Sequence, residues 1–275
     1  MLSLQPHHIT DLYCLVDDLL PRTSPNPKGG RPASLSVGEV ATILLWNTLT
    51  TKQKNLKDIH RWAMLYHRQE FPRIPTYNAF LELCHRSAPM LLFVLQSLLC
   101  DEAPVRIMDS TMVPVCKIYR ADGHKVAKTI AEFGKNHQGW HYGFKLHASI
   151  DLAGRLSGLA LTPANVHDAQ MMPQILNEDA KIAVGDTTYG ASVMRKYIFE
   201  QYGTIIVAPP HPKQRKGIFA GWQLFLLKIR PKIESVFDYL KEHLHLVSSF
   251  PRSVKGYLLH YVRILLGYQL MVIGK

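Results

Sequence analysis

The chain is poor in cysteine pairs, in targeting signals and, toward its C-terminal end, in acidic residues. Each shortage excludes something. Only four cysteines occur among 275 residues, at positions 14, 84, 100 and 116. None stands in a CxxC pair, which excludes a zinc ribbon or a dithiol redox motif, and scattered single thiols suit a reducing cytoplasm. The first residues, Met1-Leu-Ser-Leu-Gln-Pro-His-His8, lack the basic stretch and apolar run of a signal peptide. Long uncharged apolar runs are missing too. Pro89–Cys100 is too short to span a bilayer, and Tyr257–Ile273 contains His260 and Arg263. Both therefore read as core helices, and no membrane is expected as a partner. Gly and Pro at 17 each are too ordinary for a fibrous or disordered chain, and no internal repeat is present.

What is present is a large apolar fraction and an excess of basic charge. At 47% hydrophobic, 275 residues can bury a full core in one or two domains. Lys and Arg total 32 against 21 Asp and Glu, a net +11, which points to an anionic partner, of which nucleic acid is the commonest. The excess is uneven. Residues 213–275 hold eleven basic and three acidic side chains, whereas residues 101–212 hold eleven of each. The basic footprint therefore lies in the C-terminal segment.

Residues 1–100 read as helical. Ile9–Leu20 has apolar residues at helical spacing and stops at Pro21. Arg22–Ser34, rich in Pro, Gly and charge, reads as a loop. Ser36 and Glu39 form a capping-box pattern that opens a helix through Leu49, and Asn55–Tyr66, Thr76–Leu83 and Ala88–Leu99 follow. Short helices with short turns fit either a helix-turn-helix-like module that binds DNA or a helical support domain. After residue 100 the pattern changes. Val105–Val115 is extended and β-branched. Gly143–Asp151 and Arg155–Thr162 alternate around an Ala153-Gly154 turn, as a hairpin would. Ala169–Leu176 reads as a helix, Ile182–Val184 as a buried strand, Ala191–Tyr202 as a helix and Thr204–Ala208 as a strand. A Pro-rich basic loop at Pro209–Lys216 precedes an amphipathic helix over Pro231–Leu246 and a last helix over Ser253–Ile273. The class is α/β: a mixed sheet with flanking helices over 101–275, preceded by an all-helical N-terminal domain over 1–100.

Three carboxylates stand out. Asp109 lies among Ile107, Met108, Met112 and Val113, where a carboxylate is expensive to bury unless paired or bound to metal. Asp186 follows Ile182-Ala-Val184 at a strand end, where α/β folds present catalytic groups. Taken singly, each also fits an ordinary strand-end or turn aspartate. Glu234 shares the polar face of its helix with Asp238, Lys241 and His245, opposite an apolar face of Ile233, Val236, Phe237, Leu240 and Leu244. That stripe reads either as a solvated face or as a metal site within a basic segment. Three carboxylates without soft ligands suit Mg²⁺ or Mn²⁺, and a pair of such ions promotes phosphodiester chemistry. Arg230 and Lys241 would then hold DNA phosphates.

These pieces together resemble the DDE transposases of bacterial insertion sequences, most of all insertion-sequence family 982. The resemblance rests on Ile107-Met-Asp109-Ser-Thr-Met-Val-Pro114, Gly139-Trp-His-Tyr-Gly-Phe-Lys145-Leu-His147, Pro163-Ala-Asn-Val-His167-Asp168, Gly185-Asp186-Thr-Thr-Tyr189-Gly190 and the Arg230, Glu234, Lys241 spacing, five motifs in the family's order. Two positions depart from it: Leu227 stands where the family often has Tyr, and Thr187-Thr188 where it commonly has Lys-Gly. The resemblance implies an RNase H-like catalytic domain over 101–275. It implies Asp109, Asp186 and Glu234 as catalytic residues and ligands of two Mg²⁺ or Mn²⁺ ions, with Arg230, Lys241, Lys145, His147 and His167 toward DNA or phosphate. It also implies terminal inverted repeats and target DNA as partners, a homodimer on DNA and a place in the bacterial cytoplasm. An RNase H-like nuclease without strand transfer, or a non-catalytic DNA-binding regulator built on the N-terminal helices, would use parts of the same sequence.

Overall fold

The computed structural model describes residues 8–21, 32–210 and 219–273. Most of the Arg22–Ser34 loop and of the basic loop after Pro209 lies outside them. The chain divides into two compact units, Leu99–Lys241, and Met1–Leu98 together with Glu242–Lys275. The last helix thus belongs with the N-terminal helices, although it follows the sheet in sequence.

The described regular elements of the first unit are helices. α1 (Ile9–Leu19) and α2 (Val37–Leu49) each begin at a capping box, His8 with Asp11 and Ser36 with Glu39. α3 (Leu56–Tyr66) is capped by the Asn55 side chain. α4 (Tyr77–Ser97) is one continuous helix where the sequence suggests two, because it runs through Pro89. A proline inside a helix removes one backbone hydrogen bond. Here Phe80, Leu83, Leu91, Val94 and Leu95 lie on both sides of Pro89 and are all buried, and their packing offsets the loss. The C-terminal helix Val254–Ile273 packs against α4 and α2. It is long and apolar enough to cross a membrane by composition, yet 78% of that stretch is buried, as in a core helix. Gly267 permits its close approach to α2, since a Cβ there would stand 2.7 Å from Thr48 Cγ2.

The second unit is built on a mixed sheet. Its strands are β1 (Val105–Pro114), β2 (Glu132–Asn136), β3 (Gly139–Ile150), β4 (Leu156–Pro163), β5 (Ile182–Val184) and β6 (Ile205–Val207). β1 is central, antiparallel to β3 on one side and parallel to β5 on the other, with β6 parallel beyond β5. The far edge of β3 carries β2 along its first part and β4 along the rest. β2 is not foreseen in the sequence, whose 116–140 segment reads as a connection. The β3–β4 hairpin falls where the Ala153-Gly154 turn places it, and Asp151 Oδ1 closes the turn by accepting from Ala153 N at 2.9 Å and Arg155 N at 2.8 Å. Gly143 lets β3 cross close to β1, since a Cβ would lie 2.5 Å from the Val113 carbonyl oxygen.

Alternation on the short strands builds two cores. Ala183 and Ile206 join Met108, Met172, Ile175 and Ile198 on one face. Val184 and Val207 meet Leu226 on the other. The first face is covered by the Asp168–Met171 turn, by α5 (Met172–Ile175) and by α6 (Ser192–Tyr202), and the second by α7 (Gly221–Ile229). Of the helix the sequence suggests over Ala169–Leu176, only the second half forms as an α-helix, after a 3-10 turn over Asp168–Met171. α7 is a helix the sequence reading lacks. The amphipathic helix is shorter than expected: α8 (Lys232–Asp238) passes into a π-helical turn over Tyr239–His243. Its five apolar positions, Ile233, Val236, Phe237, Leu240 and Leu244, are all buried.

Candidate active site

Asp109 and Asp186 reach the same level of the sheet by register. β1 and β5 are parallel with Ile107 opposite Val184, so two residues further along each chain bring Asp109, midway along β1, level with Asp186, just beyond the end of β5. Asp109 lies in β1, its side chain only 17% exposed. Its carboxyl is raised to about 7, first by burial and then by the neighbouring charge of Asp186, against the opposing pull of the Ser110 amide and of Arg230. The Ser110 amide donates to Oδ1 at 2.8 Å.

Asp186 opens the turn that follows β5. Its Oδ1 accepts from Thr188 N at 2.9 Å and from Thr188 Oγ1 at 2.5 Å. Thr188 occupies one of the positions at which the sequence departs from the family pattern, and its hydroxyl holds the carboxylate. Gly185 leaves room for the Tyr189 ring, which would stand 2.6 Å from a Cβ at that position. Tyr189 is fully buried, and its hydroxyl finds no hydrogen-bond partner among the described residues. Burial and the charges of Asp168, Asp109 and Asp186 hold its hydroxyl well above the usual range.

Glu234 lies in the first turn of α8, which packs against β1. Arg230 links it to the aspartates: Nη2 stands 2.5 Å from Glu234 Oε1 and Nη1 stands 3.5 Å from Asp109 Oδ2. The structure therefore gathers Asp109, Asp186, Arg230 and Glu234 into one charged group. The third carboxylate meets the first through a guanidinium rather than directly. Among the described residues, no three His, Cys, Asp or Glu side chains stand close enough together to hold a metal ion. The two aspartates and an oxygen-only donor set suit a hard divalent ion, while Glu234 is engaged by Arg230.

The other residues singled out in the sequence lie elsewhere. Ser110 faces His147 across the β1–β3 ladder, and side chains alternate along β1, so Ser110 and His147 share the face opposite Asp109. On that face Asp168 Oδ1 accepts from Ser110 Oγ at 2.8 Å and from Lys145 Nζ at 3.0 Å, and Lys145 also donates to the Val166 carbonyl at 2.8 Å. His147 has no exposed surface, and burial lowers its pKa, leaving the neutral ring bonded to Thr162 Oγ1 at 2.9 Å. Lys145 and His147 thus form a buried network around Asp168. His167 is exposed and caps the following turn, its Nδ1 accepting from Ala169 N at 3.3 Å. Lys241 lies near His141, whose pKa is lowered by burial and by that charge. Asp168, Ser110 and Tyr189 carry no separate site signal in the sequence, although all three lie within the family-like motifs, Asp168 at the end of its own.

A mixed α/β unit that places an aspartate within its central strand level with one just past the end of the adjacent parallel strand, with a basic side chain beside them, is suited to chemistry on an anionic substrate. Residues 100–254, more than half of the chain, match the family described as Transposase DDE domain, and the chain belongs to that family. It is accordingly an enzyme of the transposase class, with DNA as its partner.

Proposed function

We propose that the protein is an insertion-sequence transposase, of the family 982 kind, that binds element ends, hydrolyses one strand to free a 3′-OH and joins that end to target DNA. The observation that carries the reading is the level placement of Asp109 and Asp186 beside Glu234 and Arg230. The strand order, with β1 central, antiparallel to β3 and parallel to β5, supports an RNase H-like fold. Asp109, Asp186 and Glu234 are the proposed catalytic residues and ligands of two Mg²⁺ or Mn²⁺ ions. When bound, such ions supply an activated attacking oxygen and a stabilised leaving oxygen. Asp109, largely shielded from solvent and repelled by Asp186, favours that cation, because a divalent charge relieves both its desolvation and that repulsion. Arg230 screens Asp109 and Glu234 from each other and offers its guanidinium to a backbone phosphate. Lys145, His147 and Asp168 hold the Ser110 side of β1 from behind. Two protomers acting on paired terminal repeats in a bacterial cytoplasm complete the reading.

The test is cleavage of DNA carrying the element's ends, with a joining assay on target DNA. Asp109→Asn, Asp186→Asn and Glu234→Gln should each lower Mg²⁺-dependent nicking by roughly 10³-fold, the scale of several kcal/mol of lost charge stabilisation. Nicking that survives all three substitutions sinks the site assignment. Nicking without joining selects a plain nuclease, and DNA binding without nicking selects a regulator.

A further inference from the structure

The helical unit contains a cavity of about 140 Å³ that the chemistry above does not use. Among apolar walls of leucine, its lining carries the basic and aromatic side chains of Lys54, Tyr77, His85, Arg252, His260 and Arg263, without a single carboxylate. The beginnings of three helices also meet it. Leu56 opens α3, Tyr77 opens α4, and Ser253 precedes Val254 at the start of the C-terminal helix, α9 (Val254–Ile273). Helix N-termini carry partial positive charge and exposed N–H groups. The Asn55 and Ser253 side chains cap two of them, and α4 has no side-chain cap.

Arg263 is the decisive residue. It is 2% exposed, and its guanidinium bonds only neutral acceptors among the described residues: Thr48 Oγ1 at 2.9 Å, the Gln53 carbonyl at 3.3 Å and His260 Nδ1 at 3.4 Å. Burial pulls its pKa down to about 10, so it stays charged at neutral pH. His260 is held neutral, with Nε2 donating to the His245 and Leu246 carbonyls, so it supplies Arg263 with a lone pair and no countercharge. A buried cation normally has an anion beside it. Here the lining carries Lys54, Arg252 and Arg263, and no anion stands against it among the described residues. Water alone would fill the volume without neutralising the charge.

We infer that this cavity is a seat for a backbone phosphate of DNA, a contact made by the helical unit separately from the carboxylates of the sheet. The inference rests on the reading that the chain acts on DNA. The mouth supports it, because Lys54 and Arg252 are exposed and Phe250 beside them is 48% exposed, a cationic and aromatic rim open to a strand. Glu82, which acts on the His85 ring, lies outside the lining.

The experiment is a salt titration of duplex binding by the full chain in EDTA, which removes any divalent contribution. Wild type is compared with Lys54→Gln, Arg252→Gln and the double variant, whose positions are exposed and whose folding is checked by thermal unfolding. A fourth variant, Leu81→Trp, fills the cavity without changing charge. Each phosphate contact contributes about 0.9 to the slope of log K against log salt. Each charge variant should lose up to that much slope, and about eight-fold in affinity near 0.1 M salt. Leu81→Trp should lose a comparable amount. Charge variants that keep the wild-type slope overturn the proposal. So does a Leu81→Trp protein that binds as wild type does, since DNA would then touch only the rim. Thermal stabilisation by inorganic pyrophosphate that duplex DNA cannot displace would assign the cavity to a small phosphate instead. A wild type that binds no DNA removes the transposase reading along with this one.

Discussion

Asp109 gives a test that needs neither DNA nor metal. Its carboxyl is raised from an ordinary value near 3.8 to about 7, chiefly by burial and then by Asp186. Above the unfolded pKa the unfolded chain readily releases this proton while the folded chain retains it until pH passes about 7. In that window the native state binds more protons, so stability falls as pH rises. One pKa unit is worth about 1.4 kcal/mol. For a shift of this size the penalty is about 2 kcal/mol at pH 5 and about 4 kcal/mol at pH 8. Replacing Asp109 with Asn removes the charge and keeps the shape. In EDTA, Asp109→Asn should therefore gain about 2–3 kcal/mol on wild type between pH 5 and pH 8, measured by urea unfolding of both proteins at each pH. Differencing against wild type cancels the histidines and the carboxylates that do not interact with Asp109, leaving Asp109 and its coupling to Asp186 and Asp168. If the gap between the two proteins does not widen over this window, Asp109 ionises normally and the argument that its site demands a cation fails.

The remaining predictions concern what holds the site in place. Thr188→Val should lose the 2.5 Å hydroxyl bond to Asp186 and raise the Mg²⁺ concentration needed for half-maximal nicking by about tenfold, with Thr188→Ser restoring it; an unchanged metal midpoint would make Thr188 merely structural. Gly158→Ala should destabilise the second unit by about 2–3 kcal/mol, because its Cβ would lie 2.3 Å from the Ile175 carbonyl oxygen, which also accepts from Ser149 Oγ. A loss below about 0.5 kcal/mol in chemical unfolding would show that the 168–176 segment yields freely.

Much of the sheet was legible because the relevant signals are local. Ile182–Val184 is an apolar run ended by Gly185, and the Ala153-Gly154 turn marks its own hairpin. What escaped was set by contacts distant in sequence. Glu132–Asn136 has an unremarkable strand composition and becomes β2 because the free edge of β3 offers it backbone partners. Pro89 looks like a helix end, yet apolar side chains before and after it hold α4 in one piece. The π-helical turn after α8 has no local marker in Tyr239–His243.

The same distinction separates the parts of the candidate site. Asp109 and Asp186 could be noticed because each interrupts or ends an apolar run, an anomaly visible in a few residues. Lys145 and His147 were noticed through a motif, and a motif reports that residues matter without reporting which side of a strand they face. The register decides that. Ser110 pairs with His147, Asp109 pairs with Ala148, and alternation sends the two pairs to opposite faces. A lysine that resembles a phosphate contact therefore becomes the counter-ion of Asp168, a carboxylate itself held by Ser110, the residue next to Asp109. Lys145 and Arg230 thus stand on opposite faces of β1, the first paired with Asp168 and the second bridging Asp109 and Glu234, so the two basic side chains bracket the same strand from two sides.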